Sequence, residues 1–164
     1  MILIVNICKE NLHYLEFVKP VGDILKINKI KFKTKHYKNI NEDDIKNADK
    51  IIICGTSLAD NKFMEDIKKF NWIKFYNKPI LGICGGAHII GLVLGYKLKK
   101  KKEIGLKEIE IKEEFLGIKG KRQVYHLHQF YVLPEIFKHE IRPIYAVLFH
   151  PEVRNKELIL KFSK

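Results

Sequence analysis

The sequence predicts an α/β fold: a three-layer, mostly parallel sheet flanked by helices on both faces, with a small antiparallel β extension. Two observations carry this reading. Short apolar runs (Ile2 to Ile7, Ile51-Ile52-Ile53-Cys54, Ile80-Leu81-Gly82-Ile83) alternate with helical patterns, and a strand apolar on both faces belongs inside a parallel sheet. After Gly95 the character changes to segments that alternate apolar with charged residues, as half-exposed antiparallel strands do.

Taken in order, Ile2 to Ile7 reads as a central parallel strand. Asn11 suits the N-cap of a helix carrying Leu12, Leu15 and Val18 on one side, disrupted near Pro20-Val21-Gly22. Lys29 to Tyr37 sets Ile30, Phe32, Thr34 and His36 against lysines, the pattern of a half-exposed strand. Asn41-Glu42-Asp43-Asp44 opens a short helix with its acids at the favourable end of the dipole. Ile51 to Cys54 is the next buried strand, ending at Gly55-Thr56-Ser57, and Asn61 to Phe70 is expected to be a helix before the strand at Ile80. The resulting β-α-β-α-β-α-β-α order is the signature of a parallel sheet covered on both sides. Tyr96 to Lys100, Leu106 to Lys112 and Arg122 to Leu133 read as shorter strands, broken by Gly105, Gly117 and Gly120, in hairpins beside the sheet. Ile144 to Phe149 returns to the core and Lys156 to Phe162 closes the chain as a helix. With no repeat, low-complexity segment or linker, residues 1–164 are expected to form a single domain.

Composition narrows the function classes. A chain with 46% hydrophobic and 30% charged residues suits a soluble globular protein, and no run reaches membrane-spanning length. Met1 to Val5 resembles the start of a signal sequence but lacks a basic leader and a small-residue cleavage site, so it is read as a buried strand. Three widely spaced cysteines form neither a disulfide framework nor a metal-ligand spacing, which points to a reducing, cytoplasmic setting. The net charge of +12 invites a nucleic-acid reading, but the lysines are spread along the chain and only Arg122, Arg142 and Arg154 could serve as bidentate base readers. The dense cluster Lys97, Lys99, Lys100, Lys101 and Lys102 reads as a solvated edge that discourages strand pairing. Nucleic-acid and membrane partners are therefore not expected.

The chemistry concentrates in Lys78 to Tyr96. An apolar strand delivers Cys84 into two glycines, and a helix from Ala87 to Leu94 follows: a nucleophile elbow of the form G-x-C-x-G. Gly82 and Gly86 remove the Cβ atoms that so sharp a turn would crowd, and the helix N-terminus favours a thiolate. The plain alternative is a small buried cysteine before a glycine loop. Val147-Leu148-Phe149-His150-Pro151-Glu152 tips the balance, because in an extended segment His150 and Glu152 share a side and could serve as base and orienter.

These two motifs resemble the class I glutamine amidotransferase family. The Cys84-Gly85-Gly86 variant is most similar to its cobyric acid synthase branch, and the His-Pro-Glu ending to subunits serving GMP or anthranilate synthesis. The resemblance implies a flavodoxin-like, class I amidotransferase-like sheet and a Cys84, His150, Glu152 triad. It also implies an oxyanion hole whose second donor lies at or next to Gly55; elbow logic supplies the first from Gly85. Gly55 reads equally well as a simple strand-end turn. The chain departs from the family where substrate is held. Ala87-His88 stands where His-Gln or Tyr-Gln is usual, Cys54-Gly55-Thr56-Ser57 replaces Gly-Gly-Pro, and Leu127-His128-Gln129-Phe130 stands where GMP-type members carry Ser-His-x-Asp. His88, His128 and Gln129 are thus the candidate substrate-binding residues.

His126, His128 and His139 invite a metal reading, but no carboxylate or cysteine sits at matching spacing, so neither a metal nor a cofactor is expected. His126 and His128 share a strand face and could line the site. The implied function is a glutaminase subunit that hydrolyses glutamine, or a related γ-glutamyl amide, and supplies ammonia to a separate synthetase; no P-loop occurs in the chain itself. Two rivals remain open: a γ-glutamyl peptidase or hydrolase using the same triad, and a non-catalytic amidotransferase-like regulatory module.

Overall fold

A computed structural model describes all of residues 1–164. Its main sheet is built from β1 (Ile2–Asn6), β2 (Phe32–His36), β3 (Lys50–Ile53), β4 (Ile80–Ile83), β7 (Ile136–Lys138) and β8 (Ile144–Val147), in the order β2-β1-β3-β4-β8-β7. The first five are parallel, and β7, which the sequence did not single out, adds antiparallel at the β8 edge. Strand alternation divides the core. Ile2, Ile4, Ile52, Leu81 and Val147 pack on one face, and Leu3, Val5, Ile51, Ile53 and Ile80 on the other. Each such side chain, fully buried, contributes roughly 1.5–3 kcal/mol.

The first face is covered by α2 (Lys19–Ile27), α5 (Lys156–Ser163) and part of a long hairpin; the second by α4 (Gly85–Val93) and a 3-10 helix, Ile67–Lys74. No helix is long and apolar enough to cross a membrane.

The first helical stretch differs from its sequence reading. A short α1 (Asn11–His13) runs into a π-helical turn, Tyr14–Val18, and then directly into α2, so Pro20 continues the helix. The N–H of Lys19 bonds the carbonyl of Tyr14, five residues back, and this wider turn makes room for the Pro20 ring. It also shifts the helical phase: Leu12 and Leu15 face solvent while Phe17, Val18, Val21, Ile24 and Leu25 are buried. Asn11 is not a cap; Glu10 holds that position without a side-chain bond.

The expected helix over Asn61 to Phe70 is instead two 3-10 segments, Lys62–Met64 and Ile67–Lys74. The apolar residues Ile67, Phe70, Ile73 and Tyr76 recur every third position, and three residues per turn stacks them into one buried stripe. Beyond Gly95, the three short strands are one long hairpin, β5 (Lys99–Phe115) and β6 (Ile118–Tyr131). Only Gly117 makes its turn, beside Leu116, both with positive φ as a tight hairpin requires. Gly105 and Gly120 lie within the strands.

The acidic start of α3 (Glu42–Asn47) forms a capping box: Asp44 N–H donates to Asn41 Oδ1 at 3.0 Å, and Asn41 N–H to Asp44 Oδ2 at 3.1 Å. Lys35 and Lys33 donate to the same carboxylate at 2.6 and 3.0 Å, tying α3 to β2. Burial pushes the Asp44 carboxyl up, but these lysines and the Asn41 N–H outweigh it and hold it down at about 2. Asn41→Ala is expected to lower unfolding free energy by about 1 kcal/mol in urea denaturation, with the slope against denaturant unchanged.

Candidate active site

β4 ends at Ile83, and Cys84 turns the chain at φ 48° and ψ −101°, a left-handed conformation strained for any residue with a Cβ. Its N–H donates to the Val147 carbonyl at 2.8 Å, and its own carbonyl accepts from His88 N–H at 3.1 Å, pinning the elbow to β8 on one side and α4 on the other. The glycines permit this close approach. A Cβ on Gly86 would lie 2.2 Å from the Ile53 carbonyl oxygen, and one on Gly82 would lie 2.7 Å from the Gly86 carbonyl. As the first residue of α4, Gly85 has an N–H with no partner inside the helix.

His150 follows β8 and is held by its N–H to the Tyr125 carbonyl at 2.8 Å. Its Nδ1 lies 2.6 Å from Glu152 Oε1, and both side chains are buried. Pro151 to Val153 is a turn, not the extended segment the sequence suggested; Glu152 reaches back around it. Because a carboxylate only accepts, Nδ1 carries the proton, and His150 Nε2 is left buried without a partner. Phe17 packs against the imidazole at 5.3 Å between centroids. Burial alone would push His150 down. The negative charge of Glu152, then that of the Cys84 sulfur, overcomes this and raises it well above the ordinary histidine value.

Gly55, just past β3, adjoins both groups: a Cβ there would stand 2.7 Å from His150 Cε1 and 3.3 Å from Cys84 Cβ. Its N–H makes no hydrogen bond to backbone or side chain, while its carbonyl accepts from the Cys8 thiol at 3.6 Å. The other two cysteines are poor nucleophiles. Burial pushes the Cys8 thiol up to about 11, and burial together with the charge of Glu152 pushes Cys54 well up.

The candidate substrate residues divide. His88 is buried on the first turn of α4, its Nε2 2.9 Å from the Phe130 carbonyl and its Nδ1 without a partner. Burial pushes it down to about 4, so it is neutral at ordinary pH. Gln129 donates to the Leu58 carbonyl at 3.0 Å, fastening β6 to the loop after β3. His128 is not in the crevice beside Cys84, which is lined by Leu127, Gln129 and Phe130; its ring is turned toward Lys101 and Glu103 on β5. The Leu127 carbonyl instead lies 3.5 Å from Cys84 Sγ. His126 bonds His128 rather than lining the crevice, and His139 accepts from Ile141 and Arg142 N–H.

The crevice at Cys84 measures only about 10 Å³, room for a single water. It shares Ser57, Asp60 and Asn61 with a wider cavity of about 460 Å³ bounded by Lys9, His13 and Lys62. Asp60 was missed from the sequence. It is buried, accepts from Thr56 Oγ1 and Lys9 N–H at 2.7 Å each, and keeps Oδ1 unpartnered. Nothing around Leu58-Ala59-Asp60 marks it; only the folded loop brings it to the crevice.

The family profile described as "Glutamine amidotransferase class-I" matches residues 16–143. The glutamine-hydrolyzing subunit of GMP synthase from Pyrococcus abyssi is 37% identical over 70% of this chain and 73% of its own length. The protein of the same name from Thermococcus kodakarensis is 39% identical over 50% of this chain, which spans 55% of that relative. Among solved structures, a GMP synthase subunit from Thermoplasma acidophilum superposes with a TM-score of 0.83 at 21% identity, over 98% of this chain and 90% of that one. A glutamine amidotransferase from Thermotoga maritima gives 0.60 at 17% identity, over 92% and 75%. At these identities the two structures speak for the fold.

The buried His150–Glu152 pair makes stability depend on pH. A histidine raised on folding contributes fully below its unfolded value of about 6.5, and the contribution is lost as pH rises through the folded value. Urea titrations from about pH 6.5 into the alkaline range should find the wild type losing stability faster than Glu152→Gln, in which the charge raising His150 is gone.

Proposed function

Since this chain belongs to the class I glutamine amidotransferase family, we propose that it is a glutaminase subunit, its residues 1–164 acting as one amidotransferase domain that feeds ammonia to a separate synthetase. The observation that carries the reading is His150: Nδ1 is occupied by Glu152 at 2.6 Å, while Nε2 is buried and free on the side shared with Cys84.

Cys84 Sγ attacks the side-chain carbonyl carbon of glutamine, and His150 Nε2 takes the thiol proton. The tetrahedral oxyanion is met by the N–H groups of Gly85 and Gly55, the latter having no other partner. His150 then returns the proton to the departing nitrogen, ammonia leaves, and a γ-glutamyl thioester remains on Cys84. Water, activated by the same imidazole, cleaves that thioester to glutamate and restores the thiol. Glu152 keeps the imidazole in the required tautomer and stabilises its charged form.

Two features favour a partner-dependent enzyme. A crevice of about 10 Å³ does not admit glutamine, so the Leu127 carbonyl and the Gln129–Leu58 tie must yield for substrate to reach Cys84. The relatives are named as one subunit of GMP synthase, and that name supplies the partner class: the remaining subunit of the same synthase. A γ-glutamyl hydrolase reading rests on His88, which offers a neutral imidazole where the family commonly places a glutamine amide.

Glutamate release from glutamine, measured with and without a GMP synthase partner subunit, is expected to rise on adding the partner. Cys84→Ala should lower it by roughly four to six orders of magnitude and Glu152→Gln by about four. Activity indifferent to Cys84→Ala would remove the triad reading. Faster turnover of γ-glutamyl peptides than of glutamine would favour the hydrolase.

A further inference from the structure

Away from the triad, the base of the β5–β6 hairpin gathers two histidines and two carboxylates. His126 Nδ1 and His128 Nε2 lie 3.2 Å apart, and Glu103 Oε2 lies 3.2 Å from the same His128 nitrogen. The three donor atoms are all within 4.8 Å of one another. Four ligands about 2.0–2.1 Å from a tetrahedral metal stand about 3.3–3.4 Å apart, so both measured edges are near the spacing such an ion imposes. Glu103 sits at the rim, where its side chain has the rotamer freedom to close the remaining edge.

The outer nitrogens fix the tautomers. His128 Nδ1 faces the Lys101 carbonyl at 3.1 Å and His126 Nε2 faces Glu135 Oε1 at 2.7 Å. Both partners only accept, so both outer nitrogens carry protons, and in the neutral rings Nδ1 of His126 and Nε2 of His128 present lone pairs to each other and to a carboxylate. Three acceptors pointed at one spot repel unless a cation lies between them. His126 and His128 are only 1% and 2% exposed, and Glu103 Oε2 is left without a hydrogen bond. Histidines that bind metal through one nitrogen typically give the other to a carboxylate or carbonyl, and here both do.

The register of the hairpin makes the cluster. Lys100 pairs with Phe130, but Glu103 pairs with His128, a shift of one residue between the two. Without that bulge Glu103 would oppose Leu127 and point to the other face. Two lysines compete for the carboxylate: Lys107 Nζ is 2.8 Å from Oε1 and Lys101 Nζ is 3.3 Å from Oε2. Both are nearly half exposed and can swing into solvent when a metal takes their place.

We propose that Glu103, His126 and His128 bind a divalent first-row transition metal of the zinc class, with Glu135 orienting His126 from behind. The donor set, two imidazoles and one carboxylate, suits such an ion and leaves a fourth position open. Bound there, the ion ties β5 to β6 and to the segment entering β7. It thereby steadies the strand whose Leu127 carbonyl rests on Cys84.

The test uses the full chain without a histidine tag. Calorimetry with Zn²⁺ is expected to give one saturable site per chain, abolished by His128→Ala and weakened roughly 10–100-fold by Glu135→Gln, and unchanged in Cys84→Ser. Co²⁺ should give the visible bands of a four- or five-coordinate site without a thiolate charge-transfer band. Should His128→Ala fail to fold, the Co²⁺ spectrum of the wild type and the Glu135→Gln affinity decide. No saturable site, a thiolate band, or full binding in folded His128→Ala would overturn the proposal.

Discussion

The contact on which the rest of this architecture depends is the approach of the first turn of α4 to the end of β3. The Gly86 Cα lies so close to the Ile53 carbonyl that not even a methyl group fits between them. That closeness forces the chain to reverse within one residue after β4, and Cys84 takes the strained conformation that results. Strain of this kind, of order 1–3 kcal/mol, persists only where the surroundings over-determine it, and here β8 and α4 both hold the Cys84 peptide. The sulfur is therefore presented at the sheet's carboxyl rim by backbone geometry alone, before any side chain contributes.

Beside it, a histidine and a glutamate are buried together. Removing both from water is expensive, and the 2.6 Å bond between them offsets only part of that cost. Hydrophobic residues of the same size would stabilise the fold as well or better. What the pair supplies is a fixed tautomer and a proton-binding nitrogen with no structural duty.

The parts of this molecule legible in its sequence are those governed by local constraint. G-x-C-x-G could be read because the glycines answer a clash between neighbours in the chain, and the buried strands because runs such as Ile51-Ile52-Ile53 suit little else. His150 and Glu152 were legible as a pair, though they meet through a turn. The 3-10 helix escaped because its period of three, Ile67-Phe70-Ile73-Tyr76, lies close enough to 3.6 to pass for an α-helix. Leu12 and Leu15 misled because one π-helical turn rotates everything before it. The meeting of Glu103 with His128 was out of reach, since it depends on a one-residue bulge that no periodicity announces. Asp60 was invisible for a similar reason: its importance comes from a loop that only the assembled sheet shapes.

Parallel pairing of β4 with β8 joins residues more than sixty positions apart, with the whole hairpin and β7 lying between them in the chain. Such long-range strand contacts close large loops and form late compared with a hairpin or a strand–turn–helix unit. The elbow can take shape early while the imidazole arrives only when β8 docks. A nascent or partly folded chain thus carries an ordinary thiol, and reactivity is withheld until the last strand is in place.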